Sequence, residues 1–262
     1  GFGVDPETME IRKYELDNLV LWDTPGLGDG KEADNRHAKN IIDKLLEVDE
    51  NGNALIDLVL VILDGGSRDL GTSYELINKV IIPNLGKGKE NRILVAINQA
   101  DMAMKGRNWD YDKNEPNQKL VNFLEEKVRS VRDRVYEATG VTIEPIYYSA
   151  GYKDEEREQS RPYNLSKLLY YIVKATPSEK RAIYVNNINE NREMWRDDDK
   201  LLDYGEATRK SIFESIREGA SAGAGIGGAI GSIFGSAGET IGRSVGGVIG
   251  GVIGAIGGLF GL

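Results

Sequence analysis

Three polar segments follow directly on short apolar runs, and their side chains could support ligand chemistry. The first begins with Asp23, which ends the run 19–22 and precedes Thr24-Pro25-Gly26. An unbroken apolar run of this length predicts a buried strand of a parallel sheet. At the carboxyl end of such a strand, Asp23 could hold a hydrated Mg²⁺ while the Gly26 N–H contacts a phosphate oxygen. Taken alone, the same residues could equally form a turn capped by Asp23.

The other two segments follow later apolar runs of the chain. They are Asn98-Gln99-Ala100-Asp101, after the run 93–97, and Ser149-Ala150-Gly151, after the run 146–148. In an open α/β sheet, ligands bind outside the carboxyl ends of the strands. The two segments are therefore candidate binding loops, and the alternative is ordinary turn chemistry after each strand.

Together the three segments resemble the third, fourth and fifth motifs of the small P-loop GTPases, in the same order and at similar separations. The matching stretches are Trp-Asp-Thr-Pro-Gly-Leu-Gly-Asp, Ile-Asn-Gln-Ala-Asp and Tyr-Ser-Ala-Gly. They are most similar to the Era-like class (TRAFAC GTPases), in the bacterial family of predicted GTP-binding or ribosome-binding-type GTPases. The resemblance covers residues 1–175 and implies GTP or GDP and Mg²⁺ as ligands, with GTP hydrolysis as the family activity.

The resemblance also implies roles for single residues on the phosphate side. Asp23 would hold Mg²⁺ through a water molecule, and Gly26 would contact the nucleotide. Leu27 stands where Ras-like enzymes keep a glutamine that orients the attacking water, so another group would have to position that water. The catalytic residue for hydrolysis is therefore not identified by the sequence.

On the base side, the resemblance makes Asp101 the guanine reader. A carboxylate accepts hydrogen bonds from both the N1–H and the exocyclic amine of guanine. Asn98 would join the base loop to the phosphate side, and a backbone N–H of residues 149–151 would meet the guanine O6. Gln99 stands where the family has a lysine whose stem covers the base. We therefore expect weaker nucleotide binding with guanine selectivity retained.

The phosphate-binding loop of the family is not found in these residues. No Gly-x-x-x-x-Gly-Lys-Ser/Thr motif occurs, because the Gly-Lys pairs at 30, 86 and 88 lack both the spacing and the following hydroxyl. In the family order this loop and the first strand precede the strand at 19–22. The sequence thus predicts an N-terminally truncated domain with impaired nucleotide binding and no hydrolysis, in which the missing strand would lie between 19–22 and 58–63.

Strand and helix patterns alternate along residues 1–177, which predicts an α/β fold of the P-loop NTPase type, a parallel sheet flanked by helices. Strands are expected at 9–16, 19–22, 58–63, 93–97 and 144–148, and helices at 32–48, 72–82, 119–139 and 165–173. We expect Asn117 to cap the third helix, Thr72 to cap the second, and Trp109 to anchor the polar loop 102–118. His37, the only histidine, is expected at the surface or as a helix cap.

Charge and composition narrow the classes of partner. The chain of 262 residues has a formal net charge of −9 and no basic stripe, which argues against generic nucleic-acid binding while leaving a ribosome contact open. It contains no cysteine, which fits a reducing, cytoplasmic compartment. A polar helical linker is expected at 178–218, either packed on the domain or acting as a stalk.

The tail, 219–262, differs from the rest of the chain. Glycine recurs at every fourth residue from Gly219 to Gly235 and again from Gly238 to Gly258, and the only charges are Glu239 and Arg243. On a helix this spacing makes a glycine ridge like that of glycine-zipper membrane segments, which predicts membrane association or self-association. The alternative function is therefore a non-enzymatic membrane-associated or interaction protein that acts through its tail. Glycine also disfavours an isolated helix in water.

Overall fold

The computed structural model describes residues 10–16, 19–151, 161–217 and 252–260. Its strands are β1 (Arg12–Leu16), β2 (Leu19–Asp23), β3 (Val59–Asp64), β4 (Ile93–Asn98), β5 (Trp109–Asp110), β6 (Glu115–Pro116) and β7 (Ile146–Tyr147). Its α-helices are α1 (Lys31–Leu45), α2 (Gly71–Glu75), α3 (Ile82–Asn84), α4 (Gln118–Thr139), α5 (Leu165–Ala175), α6 (Tyr204–Arg217) and α7 (Val252–Phe260). A π-helix, Leu76–Ile81, joins α2 to α3, and 3-10 segments lie at Lys89–Asn91, Ala100–Gly106, Ser178–Asn186 and Arg192–Trp195.

The central sheet is parallel, in the order β3-β4-β7. Strand β4 lies in the middle, and its side chains alternate between two hydrophobic cores, with Val95 in one and Ala96 in the other. The first core contains residues of α1, the π-helix and α4, and the second contains residues of α5, α6 and α7. Helices therefore cover both faces, and the predicted α/β class with a parallel sheet flanked by helices is confirmed at this level.

The strand at 19–22 departs from its prediction. Instead of a buried parallel strand, β2 pairs antiparallel with β1, with Tyr14 opposite Leu21. Its partner strand is polar, so one side of the hairpin faces water and Val20 is 44% exposed. Within the described ranges, the hairpin and the three-stranded sheet are separate sheets.

The ends of the helices test the predicted capping and stop residues. Asn117 caps α4 by accepting the Leu120 N–H at 3.1 Å, and Gly140 ends it at φ 69°, where glycine is favoured. The prediction for Thr72 was wrong, because Asp69 accepts the Gly71 N–H at 2.8 Å instead. The helix predicted to stop at Pro83 ends one residue later, at Asn84, because α2, the π-helix and α3 follow one another without a break.

The segment after Pro177 packs on the domain. Helix α6 lies against α5, and Ile212 and Trp195 are buried in the second core. Trp109 is also buried, with its ring 5.2 Å from that of Tyr163, as expected for an anchor. None of the helices in the described ranges is long and apolar enough to span a bilayer. The predictions for residues 219–251 lie outside the described residues.

Candidate functional site

The end of β4 turns sharply to form the first candidate loop. Asn98 is the last residue of the strand, and Gln99 is exposed with a left-handed φ of 58°. The turn is fixed from the side of β7, because the Ala100 N–H donates to the Tyr148 carbonyl at 3.1 Å. Ala100, the first residue of the following 3-10 segment, is fully buried, which fixes the position of the loop where the exposed Gln99 ends.

The loops after β4 and β7 are joined by side-chain hydrogen bonds. Asn98 Oδ1 accepts the Ala150 N–H at 3.0 Å. The Ser149 hydroxyl donates to Asp101 Oδ1 at 2.6 Å, and both side chains are buried. The Gly151 N–H lies 3.3 Å from the Ser149 hydroxyl, and Gly151 has a φ of 76°. The two candidate segments thus form one connected unit, which we call the base-side loops (98–101 and 149–151).

A third loop supports this unit from β3. The Gly65 N–H donates to the Asn98 carbonyl at 2.7 Å. A Cβ atom at residue 65 would lie 2.6 Å from that oxygen and 2.9 Å from the Gln99 carbonyl oxygen. Only glycine allows this approach, so Gly65 sets how closely the β3 loop can approach the base-side loops.

Lys127 of α4 holds the β3 loop in place, a role that sequence reasoning missed. Its ammonium donates to the carbonyl oxygens of Asp64, Gly65 and Ser67, at 3.1, 2.8 and 2.7 Å. Burial lowers the pKa of Lys127 from its ordinary value. On α4, Lys127 lies between apolar positions, and nothing in the spacing distinguishes it from its exposed neighbours.

The turn after β2, residues 24–30, is built differently. Asp23 is 4% exposed, whereas Gly26 is exposed and a Cβ atom there would meet nothing within 4 Å. The Asp34 carboxylate accepts the N–H groups of Gly28 and Asp29 at 2.7 and 3.1 Å. Side chains from the first turns of α1 therefore hold this segment, which we call the β2–α1 turn.

His37 of α1 makes a second contact with the β2–α1 turn. Its Nδ1 lies 3.1 Å from the Gly26 carbonyl oxygen, which can only accept, so Nδ1 carries the hydrogen. The side chain is 1% exposed, and the expectation of a surface or capping residue was wrong. The sequence carried one signal for this role, namely a single histidine in the helix that follows the Asp-x-x-Gly turn.

The predicted site residues thus fall into two groups. The first group lies at the carboxyl edge of the parallel sheet and contains Asn98, Gln99, Asp101 and residues 149–151. The second group contains Asp23, which ends β2, and Gly26 in the turn after it. In the described part of the chain, no three acidic, histidine or cysteine side chains converge as a metal site. One buried carboxylate is compatible with Mg²⁺, which commonly keeps its waters and binds one or two carboxylates and substrate phosphates.

Comparisons of this chain with protein-family models, with curated proteins and with solved structures find no match.

Proposed function

We propose that this chain is a guanine-nucleotide-binding protein, a nucleotide-dependent switch of the Era-like type. GTP or GDP would bind at the carboxyl edge of the parallel sheet. Asp101 would read the guanine, and Asn98 and Gln99 would form one wall. One backbone N–H of residues 149–151 would exchange the bond that it makes in this structure for a bond to the guanine O6.

The observation that carries the proposal is the connection between the two base-side loops. Asn98 and Asp101 are each bonded to the β7 loop, so two segments 48 or more residues apart are held in one geometry. Preorganised polar groups bind a ligand at lower cost, because fewer side chains have to be ordered on binding. Ordinary turns after two strands would not require buried side-chain bonds between them.

The chemistry of Asp101 suits guanine rather than adenine. The Ser149 hydroxyl occupies one acceptor position on Oδ1. A carboxylate has about four such positions over its two oxygens, so capacity remains for the N1–H and the amine of guanine. Adenine presents an unprotonated N1 on the corresponding edge, and a carboxylate cannot donate to it.

Fewer groups would bind the phosphates of the nucleotide than the base. The Gly26 N–H lies in an exposed turn, and Asp23 is the single carboxylate that would hold Mg²⁺. Without a Gly-x-x-x-x-Gly-Lys-Ser/Thr loop among these residues, we expect affinity of roughly micromolar strength rather than tighter, because that loop supplies most phosphate contacts.

The test is equilibrium binding of a fluorescent GTP analogue in the presence of Mg²⁺. We expect saturable binding that unlabelled GDP displaces and ADP does not. Asp101→Asn should weaken it by about tenfold to a hundredfold, since hydrogen bonds to a charged group contribute about 1.5–3 kcal/mol. Asp112→Asn, an exposed carboxylate in the loop between β5 and β6, is the matched control and should bind like the wild type.

No binding at high micromolar concentration would contradict the proposal. It would favour the alternative, a non-enzymatic interaction protein whose tail carries the function. Binding that ADP displaces as well as GDP would also contradict it, since the base-side loops would then not read guanine.

A further inference from the structure

The C-terminal end of the tail lies in a groove on the domain. In α7, Leu259 is fully buried and Ile256 is 7% exposed, and both belong to the second hydrophobic core. The Phe260 ring stacks on that of Tyr184, with an angle of 22° between the ring planes and centroids 6.5 Å apart. We call this surface the tail groove and define it by Leu165, Tyr184, Asn189 and Met194.

Asn189 binds the end of α7 through two backbone carbonyls. Its side-chain amide donates to the Gly258 carbonyl at 2.9 Å, and its backbone N–H donates to the Leu259 carbonyl at 2.8 Å. The last carbonyls of a helix have no partner within the helix and must be satisfied from outside. Asn189 therefore supplies what a helix end needs, and apolar side chains supply the rest of the groove.

The groove also requires glycine at one position of its occupant. A Cβ atom at residue 258 would lie 2.8 Å from Met194 Cε and 3.4 Å from Leu165 Cδ2. Gly258 is the last member of the every-fourth-residue glycine ridge in the sequence. In the structure this member of the ridge packs against the domain. The same glycine surface cannot at the same time pack against another helix in a bilayer.

Helix α7 depends on the groove for its structure. It has nine residues, three of them glycine, and isolated helices shorter than about 12–15 residues are marginal even without glycine. Docking and helix formation are therefore coupled, and the ordering cost offsets much of the contact energy.

We propose that the tail groove is a docking site for the C-terminal end of this chain's own tail, and that docking competes with insertion of the tail into a lipid bilayer. Lipid is the competing environment because residues 219–262 carry only two charges and a glycine ridge. In the docked state the domain shields the apolar end of the tail. The inference goes beyond the proposed nucleotide function and does not depend on it.

The test is flotation of the full chain with vesicles of phosphatidylcholine and phosphatidylglycerol. Asn189→Ala changes the groove and leaves the tail sequence intact. Loss of the side-chain bond to Gly258, and of the bond by which Asn189 Oδ1 accepts the Asn191 N–H at 2.9 Å, should shift the docking equilibrium by up to about tenfold. The vesicle-bound fraction should rise accordingly. Asn53→Ala, on an exposed turn where Asn53 bonds Asp49, is the matched control and should float like the wild type.

A covalent lock tests the opposite direction. The chain has no cysteine, so Met194→Cys with Gly258→Cys introduces one pair, and the first change removes the Cε atom that would crowd the new side chain. Bridging the pair with a short bifunctional thiol reagent should abolish flotation, and the unbridged double variant should float. The proposal is overturned if the bridge does not form, if the bridged protein floats undiminished, or if neither the wild type nor Asn189→Ala binds vesicles.

Discussion

The base-side loops and the β2–α1 turn are two candidate ligand-binding regions that are held in place by different contacts. In the base-side loops Ala100, Asp101 and Ser149 are buried, and side chains of one segment bond the other across the sheet edge. In the β2–α1 turn Gly26 and residues 28–30 are exposed, and the described hydrogen bonds that hold it come from Asp34 and His37 of the neighbouring helix. The two regions therefore differ in what holds them, side chains of the two sheet loops in one and side chains of α1 in the other.

Substitution of one glycine in each region gives the largest predicted difference in the free energy of unfolding. Gly65→Ala places a Cβ atom 2.6 Å from the Asn98 carbonyl oxygen, and the neighbour is backbone, which cannot swing away. We expect a loss of about 3 kcal/mol in the free energy of unfolding, at the upper end for overpacking. Gly26→Ala meets nothing within 4 Å and should stay within about 0.5 kcal/mol of wild type. Urea unfolding of both variants measures the contrast, and equal losses would contradict it.

The bond between the base-side loops gives the next largest effect. Ser149→Ala leaves the buried Asp101 carboxylate without its hydroxyl donor and should cost about 2 kcal/mol. Ser67→Ala removes a hydroxyl that donates to the Asp69 carbonyl on an exposed loop, and should cost about 0.5 kcal/mol or less. Chemical denaturation compares the two serines. A Ser149 variant as stable as the Ser67 variant would mean that the bond between Ser149 and Asp101 does not stabilise the fold.

In the β2–α1 turn the expected loss of stability is smaller. Asp34→Ala removes the acceptor of two N–H groups near the start of α1 and should cost about 1 kcal/mol, like loss of a helix cap. Amide hydrogen exchange at Gly28 and Asp29 should become faster, while exchange at Ala150 stays unchanged. Glu32→Ala, in the same helical turn, is the control. Faster exchange at Ala150 in Asp34→Ala would show that the two regions are not independent.

The smallest effect at neutral pH concerns the buried tyrosines beside the base-side loops. Burial raises the pKa of Tyr147, Tyr148 and Tyr163 well above their ordinary value. An unfolded tyrosine ionises near pH 10, so above that pH the unfolded state holds fewer protons than the folded state. Stability should therefore be unaffected by these groups below about pH 10 and should fall as pH rises further.

Thermal unfolding followed from pH 8 to 11 checks this, with tyrosinate absorbance as the second probe. Tyr148→Phe should reduce the alkaline loss of stability. Tyrosinate signal that rises while the protein remains folded would contradict the burial of these rings.

The sequence predicted the parallel sheet well because its strands are apolar on both faces and its longest helix is amphipathic and capped at both ends. Asn98, Asp101 and Ser149 could be placed together because each follows such a strand. The pairing of β2 could not be predicted, since an apolar run does not reveal whether its neighbour is polar. Lys127 and His37 were missed because their partners are backbone carbonyls, which leave no trace in the side-chain pattern.

The most direct test of the central claim is an exchange of base specificity at Asp101. Xanthine carries a carbonyl where guanine has its amine, so an asparagine amide can donate to xanthine where a carboxylate accepts from guanine. We predict that the wild type binds a fluorescent GTP analogue more tightly than the xanthosine triphosphate analogue, and that Asp101→Asn reverses this order. An unchanged order in Asp101→Asn, or no preference in the wild type, would show that Asp101 does not read the base.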